Sequence, residues 1–283
     1  KDKIGSDWSY TISGNISYNQ NKFLQSIGGT QKIYNGGGGS TGGQLATVTT
    51  VGQPVGEFYG YKVIGIFQTA ADVAAYADKD GNKYQPDAKP GDFKYASMTG
   101  KGPLSGNDRV PIGNPNPKFV YGFSTTWSYK AWDLGIDFNG VAGVDIYNAN
   151  KGLRFGAENW TKDFYDNRWH GAGTSNSNPS VSLGGGQNYY INSWYVESGA
   201  YLRIRNIQLG YTLRSESLSL LGIQSLRIYA NAQNPAIFTK YKGFSPEIGA
   251  SLENGGGAPG TIGIDNNVYP ISAIYNLGVN LSF

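Results

Sequence analysis

The last ten residues constrain this chain most. From Ile274 to Phe283 they read Ile-Tyr-Asn-Leu-Gly-Val-Asn-Leu-Ser-Phe. In a strand, Tyr275, Leu277, Val279, Leu281 and Phe283 share one face, and Asn276, Gly278, Asn280 and Ser282 share the other. A strand of about 9–11 residues with one apolar and one polar face is the unit that carries a barrel across an outer membrane. The same alternation also fits a half-buried edge strand of an ordinary sheet. The rest of the sequence has to separate the two.

Five more segments alternate as cleanly. Trp8, Tyr10, Ile12, Gly14, Ile16 and Tyr18 oppose Ser9, Thr11, Ser13, Asn15 and Ser17. Phe119, Tyr121, Phe123, Thr125, Trp127 and Tyr129 oppose Val120, Gly122, Ser124, Thr126 and Ser128. Trp132, Leu134, Ile136 and Phe138 oppose Asp133, Gly135, Asp137 and Asn139. The fourth runs from Asn206 to Leu213 and the fifth from Leu226 to Gln233. Weaker candidates lie at 44–51 and 57–67; in the second, Tyr59, Tyr61, Val63 and Phe67 share a face. The apolar faces of the clear segments carry no charge, whereas the polar faces carry Asp133, Asp137 and Arg227. A charge facing lipid at mid-membrane costs about 2–4 kcal/mol, so a membrane barrel requires this partition. A soluble sandwich would show it too.

The connections discriminate better. Lys130-Ala131 is a tight hairpin turn, Val51–Gly56 a second short link, and 214–224 a modest one. Long segments at about 20–43, 68–117, 143–200 and 238–271 alternate with them. Structureless loops beyond about 12–15 residues are uncommon in soluble domains. Outer-membrane barrels, by contrast, join strands with short periplasmic turns and long external loops. With 143–200 external, the strands run up and down so that Phe283 ends in the periplasm. Trp8, Tyr18, Trp127, Tyr129 and Trp132 mass at strand ends, where interfacial girdles use such rings. Between Ile204 and Ile207 the apolar phase slips, which a bulge near Arg205-Asn206 would produce. On that reading only the second half of the strand faces lipid.

Composition agrees. The chain has 283 residues with 42 Gly and 21 Tyr, but one Met and one His. This aromatic-rich, glycine-rich balance favours strands and turns over helices. Mean hydropathy is −0.39 and no run of eighteen apolar residues occurs, so no transmembrane helix is expected. Neither observation excludes a barrel, whose membrane signal lies in alternation. Cysteine is absent, which removes disulfides and thiolate metal sites, and a net charge of +3 is too small to imply nucleic acid. The opening Lys1-Asp2-Lys3-Ile4 is no signal peptide. It suggests either a removed leader or the C-terminal piece of a longer chain.

Little here carries chemistry. Gly37–Gly42 fits a dinucleotide fingerprint in form only, since no βαβ unit surrounds it; it reads as a flexible loop. Asn15-Ile16-Ser17 and Asn280-Leu281-Ser282 match glycosylation acceptors but lie inside strands. His170, beside Trp169, has no nucleophile to activate and reads as a surface residue. Ala70–Asp78 reads as a short surface helix. Loop 143–200 is the richest segment, with Trp160, Phe164, Tyr165, Trp169, Tyr189, Tyr190, Trp194 and Tyr195. Such rings can stack on sugars or peptide side chains, or simply pack the loop. Trp160, Tyr165, Trp169, Tyr189, Tyr190 and Trp194 are the candidates for substrate contact. No catalytic, cofactor or metal residues emerge.

An ordered series of segments resembles the C-terminal region of SusC-type TonB-dependent outer-membrane transporters. It begins with Gly52-Gln53-Pro54-Val55-Gly56-Glu57-Phe58-Tyr59-Gly60-Tyr61, Gly65-Ile66-Phe67 and Pro90-Gly91-Asp92-Phe93-Lys94-Tyr95. Asn107-Asp108-Arg109, Ile112–Phe119, Gly143–Asn148 and Tyr201–Asn206 with Leu209-Gly210-Tyr211 follow. Leu226–Tyr229, Gln233-Asn234, Phe238–Tyr241 and Pro246-Glu247 close it. The match covers about residues 50–283. It implies an all-β, antiparallel transmembrane barrel of about 22 strands with a plugged lumen and long extracellular loops. Residues 1–283 would supply about the last eight strands, with the plug and the remaining barrel segment lying outside this chain. Active import of oligosaccharides or peptides follows from the resemblance. So do a SusD-like surface lipoprotein, the TonB complex acting through the plug, and the outer membrane of a Gram-negative bacterium. The terminal aromatic, with Tyr275, Leu277, Val279 and Leu281 on its face, resembles the signal read by the barrel assembly machinery. At 96–107 the family often carries an acidic, calcium-like loop. Here Lys101 stands where a carboxylate is expected and only Asp108 remains, so no calcium is expected. Two other readings stay open. One is a stand-alone eight-stranded barrel with an adhesin or structural role, too narrow to pass an oligomer. The other is a soluble carbohydrate-binding β-domain.

Overall fold

A computed structural model of the chain describes residues 2–4, 6–36, 38, 41–154, 159–181, 184–214, 218, 220, 222–249 and 259–283. In chain order the first strands are β1 (Asp2–Ile4), β2 (Trp8–Tyr18), β3 (Lys32–Asn35), β4 (Thr47–Thr50), β5 (Glu57–Gly60) and β6 (Val63–Ile66). Helix α1 (Ala70–Ala75), β7 (Phe93–Tyr95), β8 (Val110–Gly113), β9 (Phe119–Tyr129), β10 (Trp132–Ala142) and β11 (Asp145–Asn148) follow. Then come α2 (Asn150–Leu153), α3 (Lys162–Asn167), β12 (Val196–Ser198), β13 (Tyr201–Leu213), β14 (Ser225–Thr239), β15 (Ile264–Asp265) and β16 (Ile274–Ser282).

All six clear alternating segments, with the short β1 added at one edge, form one antiparallel sheet in the order β1-β2-β9-β10-β13-β14-β16. The sheet is open, with β1 and β16 at its edges. Register aligns the apolar faces across every pair. Leu134 sits between Trp127 and Leu209, and Ile228 between Tyr211 and Val279. At the short-turn rim Trp8 stacks on Tyr129 at 4.4 Å and Trp132 lies 4.8 Å from Tyr211, a belt suited to a headgroup layer. Ile16 is 71 % and Leu277 87 % exposed, a waste of apolar surface in water but not in lipid. On the polar face Arg227 grips Asp133 through two bonds of 3.0 and 2.5 Å. The pair passes over Gly210, where a Cβ would lie 2.5 Å from the guanidinium.

The bulge falls where the phase slips. Asp137 pairs with Asn206 and Phe138 with Ile204, leaving Arg205 as the extra residue. Its consequence differs from the expectation. Leu202 and Ile204 oppose Gly140 and Phe138, on the face that also carries Ile136 and Ile207, so both halves of β13 face outward. The bulge absorbs the slip and leaves the strand's outer face continuous.

The two weaker candidates are strands, but they lie outside the wall. Segment 44–51 becomes β4, while 57–67 splits into β5 and β6, which belong to different sheets. β4 and β5 pair across the predicted Val51–Gly56 link within the sheet β3-β4-β5-β8. All of 19–118 is therefore one connection between two wall strands. The rule that short and long links alternate survives with fewer strands in the wall.

The long connections are folded. Besides the four-stranded sheet they hold β6-β7 and β12-β11-β15. One core gathers Ala46 and Phe58 from the first connection, Tyr147, Ile191 and Tyr195 from the second, and Ile264 from the third. The three connections thus make one cap on the long-loop rim. Helix α1 starts at Thr69, whose hydroxyl accepts from Asp72 N at 3.1 Å, and ends earlier than the predicted 70–78.

Candidate functional site

The cap holds an open pocket of about 790 Å³, lined from α2, α3, β12 and the residues just after β14. Its aromatic wall is built locally. Thr161 caps α3 by accepting from Phe164 N, and this turn stacks Trp160 on Phe164 with centroids 3.9 Å apart. Phe164 in turn meets Trp194 edge-on at 5.8 Å. Asn192 fixes Trp194 by accepting from its N–H at 2.9 Å, and the Trp194 indole N–H donates to Asn178 Oδ1 at 3.2 Å.

Charge lies in paired form among these rings. Lys151 sits 4.3 Å over the Trp194 ring, with its ammonium 2.8 Å from Glu197 Oε1 and donating to the Trp194 carbonyl. Burial pulls the Lys151 pKa down and Glu197 partly restores it, so the ammonium depends on its partner. Glu197 also accepts from Asn148 Nδ2 and Lys242 N. Nearer solvent, Lys242 meets Asp163 at 2.7 Å, and this bond holds the Asp163 carboxyl below its ordinary range. Arg154, Lys240 and Phe244 complete the mouth. The site offers stacking surfaces, side-chain amides and fixed ion pairs, with no nucleophile beside a base.

Of the six predicted aromatic candidates, the structure brings two together here, Trp160 and Trp194. Tyr165 is 56 % exposed outside it, under the Arg168 guanidinium. Trp169 packs on the Ile66–Phe93–Tyr95 cluster and donates to Gln68 Oε1 at 3.2 Å. Tyr189 packs against the main core and Tyr190 lies 5.9 Å from Tyr61. Sequence reasoning missed Lys151 and Glu197. They are far apart in the chain, and only β12 and α2 bring them together. Lys240 and Lys242 follow the end of β14, which the sequence pattern did not reveal.

Asp108 organises the loop at 97–108. Its buried carboxylate accepts from Met98 N at 2.8 Å, Thr99 N at 3.0 Å and Ser105 N at 2.9 Å, and also from the hydroxyls of Ser97, Thr99 and Ser105. Donors, not further oxygen acceptors, surround it. Among the described residues no three His, Cys, Asp or Glu side chains cluster as metal ligands. Gly37, Gly39 and Ser40 of the glycine tract lie outside the described residues. Thr41 closes the turn there, accepting from Gly38 N and donating to Gly36 O. His170 is exposed.

No family profile matches the chain. Individual proteins do. TonB-dependent receptor P3 of Formosa agariphila is 31 % identical over 278 residues, which are 98 % of this chain and 27 % of the receptor. TonB-dependent receptor SusC of Bacteroides thetaiotaomicron is 26 % identical over 287 residues, 99 % of this chain and 25 % of that protein. The chain therefore spans about a quarter of the length of these relatives. The solved RagAB peptide transporter superposes with a TM-score of 0.70 at 23 % identity, covering 100 % of this chain and 28 % of that one. These relatives are receptors and transporters, in line with a chain that does no catalysis. Over nearly its whole length the chain is thus similar in sequence to TonB-dependent receptors, SusC among them, and in fold to the RagAB transporter.

Proposed function

We propose that this chain is part of an active importer in the outer membrane of a Gram-negative bacterium, with the cap pocket as a contact for the incoming solute. One observation carries the reading. The wall turns a charge-free apolar face outward over six strands, and every long connection folds at the same rim into a cap with an aromatic pocket. A stand-alone adhesin or a soluble β-domain would not need both. The RagAB peptide transporter supports peptide oligomers as cargo, and the resemblance to SusC-type transporters extends the reading to oligosaccharides. They also support a SusD-like surface lipoprotein over the cap and the TonB complex acting through a plug supplied by the rest of the protein. Trp160 and Trp194 are the rings proposed to touch solute.

The test uses cells carrying the full-length gene. Trp160→Ala should lower uptake of the cognate oligomer several-fold while surface abundance, measured by antibody, stays level. Unchanged uptake in cells lacking the gene altogether would refute the importer reading. A second proposed role belongs to β16. Phe283, with Tyr275, Leu277, Val279 and Leu281, would present the face read by the barrel assembly machinery. Phe283→Asp should then lower the folded amount and leave uptake per folded molecule unchanged. Full abundance with lost uptake would move Phe283 to the transport path.

A further inference from the structure

We propose that the bulged centre of the wall is a binding site for the carboxylate of a solute inside the barrel, with Arg205 as its anchor. This rests on the import reading for the solute's presence. It concerns a different part of the molecule from the cap pocket.

Two adjacent strands are irregular at the same height. On β13 Arg205 has no partner in either neighbouring strand. On β14 the pair Asn234-Pro235 stands opposite it, between Gln233, which pairs with Asn206, and Ala236, which pairs with Ile204. Asn234 adopts φ 49°, a left-handed conformation that Asn tolerates better than most residues. Pro235 has no N–H to leave unsatisfied. Interrupting a ladder within a membrane is costly, because no water replaces the missing bonds. The sequence is therefore fitted to carry a bulge here, and bulges re-aim side chains.

The side chain re-aimed is Arg205. Without the extra residue, a strand would place one polar side chain between Ile204 and Ile207 on the inner face; with it, Arg205 and Asn206 both line the inner depression. That depression measures about 890 Å³, within the range of small-molecule sites. Asn15, Asn139, Gln233 and Asn234 also line it, amides able to donate to and accept from a peptide or a sugar.

The other arginines of this face are committed. Arg203 is ion-paired with Glu247, and Arg227 with Asp133. Arg205 makes no hydrogen bond or ion pair with any described residue, and Asp137, the carboxylate in the same depression, accepts from Ser124 Oγ at 2.6 Å. A guanidinium that is always charged, forked and unpaired complements a carboxylate, which it can hold bidentately. The surrounding amides add hydrogen bonds without adding an opposing charge.

The experiment uses the purified full-length transporter and four probes: triglutamate, triglutamine, trigalacturonate and maltotriose. Binding is measured by calorimetry for wild type, Arg205→Gln and Arg205→Lys. At least one acidic probe should bind at least tenfold tighter than its neutral counterpart. Arg205→Gln should erase that preference, and Arg205→Lys should retain part of it. Which acid binds tells a peptide carboxylate from a sugar carboxylate. Equal binding of acidic and neutral probes would overturn the assignment while leaving the importer reading intact. So would a preference that survives in Arg205→Gln. The remaining outcome is that Arg205→Gln lowers the unfolding temperature and Arg205→Lys restores it, with no acidic probe bound by wild type. Arg205 would then hold a carboxylate of the protein itself, and the solute assignment would fall.

Discussion

The wall and the cap use the same residue types in opposite ways. In the wall, Trp8, Ile16, Leu277 and Val279 point outward and are largely exposed, and the polar side chains point inward. In the cap, Phe58, Phe67, Phe93, Tyr95, Tyr147 and Tyr195 are buried almost completely. The difference follows from where the backbone finds its partners. The six long wall strands, of nine to fifteen residues, satisfy one another, so side chains are free to meet lipid. Cap strands of two to four residues cannot, and buried side chains complete the bonding. Asn188 Oδ1 accepts from Phe93 N at 2.8 Å, Gln85 bridges Phe93 O and Tyr95 N, and Asn192 donates to Tyr190 O. Burial raises the phenol pKa of Tyr95 and Tyr195, keeping both as neutral donors to Gln187 O and Asn188 O. An inside-out wall and an amide-knit cap are thus two answers to one demand, that no buried peptide group lack a partner.

If the regions are held by different forces, they should fail separately. The largest effect is expected from Asp108→Ala, which orphans the donors around that carboxylate. A loss of about 3–5 kcal/mol of cap stability should follow. Protease should then cut at 97–108 while the barrel keeps its heat-modifiable mobility. Joint collapse of both would show one cooperative unit. Calcium or chelator should leave the wild-type loop unchanged, and protection of the loop by calcium would contradict the donor-filled site.

On the wall, Ile136→Arg should cost about 2–4 kcal/mol and deplete folded barrel, as a mid-membrane charge does. Cysteines placed one at a time should report the same geometry. Phe123 and Ile136 should take a lipid-phase label that Ser124 and Asp137 do not; the reverse pattern would turn the wall inside out. A smaller change, Gly210→Ala, should part Arg227 from Asp133 and destabilise the wall by about 1–2 kcal/mol, leaving the cap protease-resistant.

The smallest effect concerns pH. Backbone and side-chain donors from Gly102 and Asn82 lower the Asp78 pKa to about 2. Because the folded value lies below the unfolded one, its contribution is present above the ordinary carboxylate range and is lost as pH falls toward 2. Protection from hydrogen exchange at the Asn82 and Gly102 amides, relative to their intrinsic rates, should fall in that window, with protection of wall amides unchanged. Protection at Asn82 and Gly102 that is flat across this range would remove Asp78 from the turn's support.

Alternation with a period of two set the strands of the wall, their outward face and the Lys130-Ala131 hairpin. The reason is local: each residue's side is fixed by its neighbours along the strand, and a one-residue slip would reverse the faces. Even the bulge at Arg205 left its mark as a phase slip. The six-residue extension of β14 beyond Gln233 was hidden, because Asn234-Pro235 breaks the pattern where the pairing resumes. Segments 44–51 and 57–67 carried a strand signal with no address. Whether such a strand joins the wall or the cap depends on partners distant in sequence, here β8 for β5 and β7 for β6. The candidate site shows the same limit. Sequence could mark Trp160 and Trp194 as rings in an aromatic loop, as it marked Trp169 and Tyr189. All four pack against buried clusters, and only the tertiary structure put the first two on the wall of a pocket as well. Burial and ion pairing, as of Lys151 with Glu197, arise between segments that the local pattern does not relate.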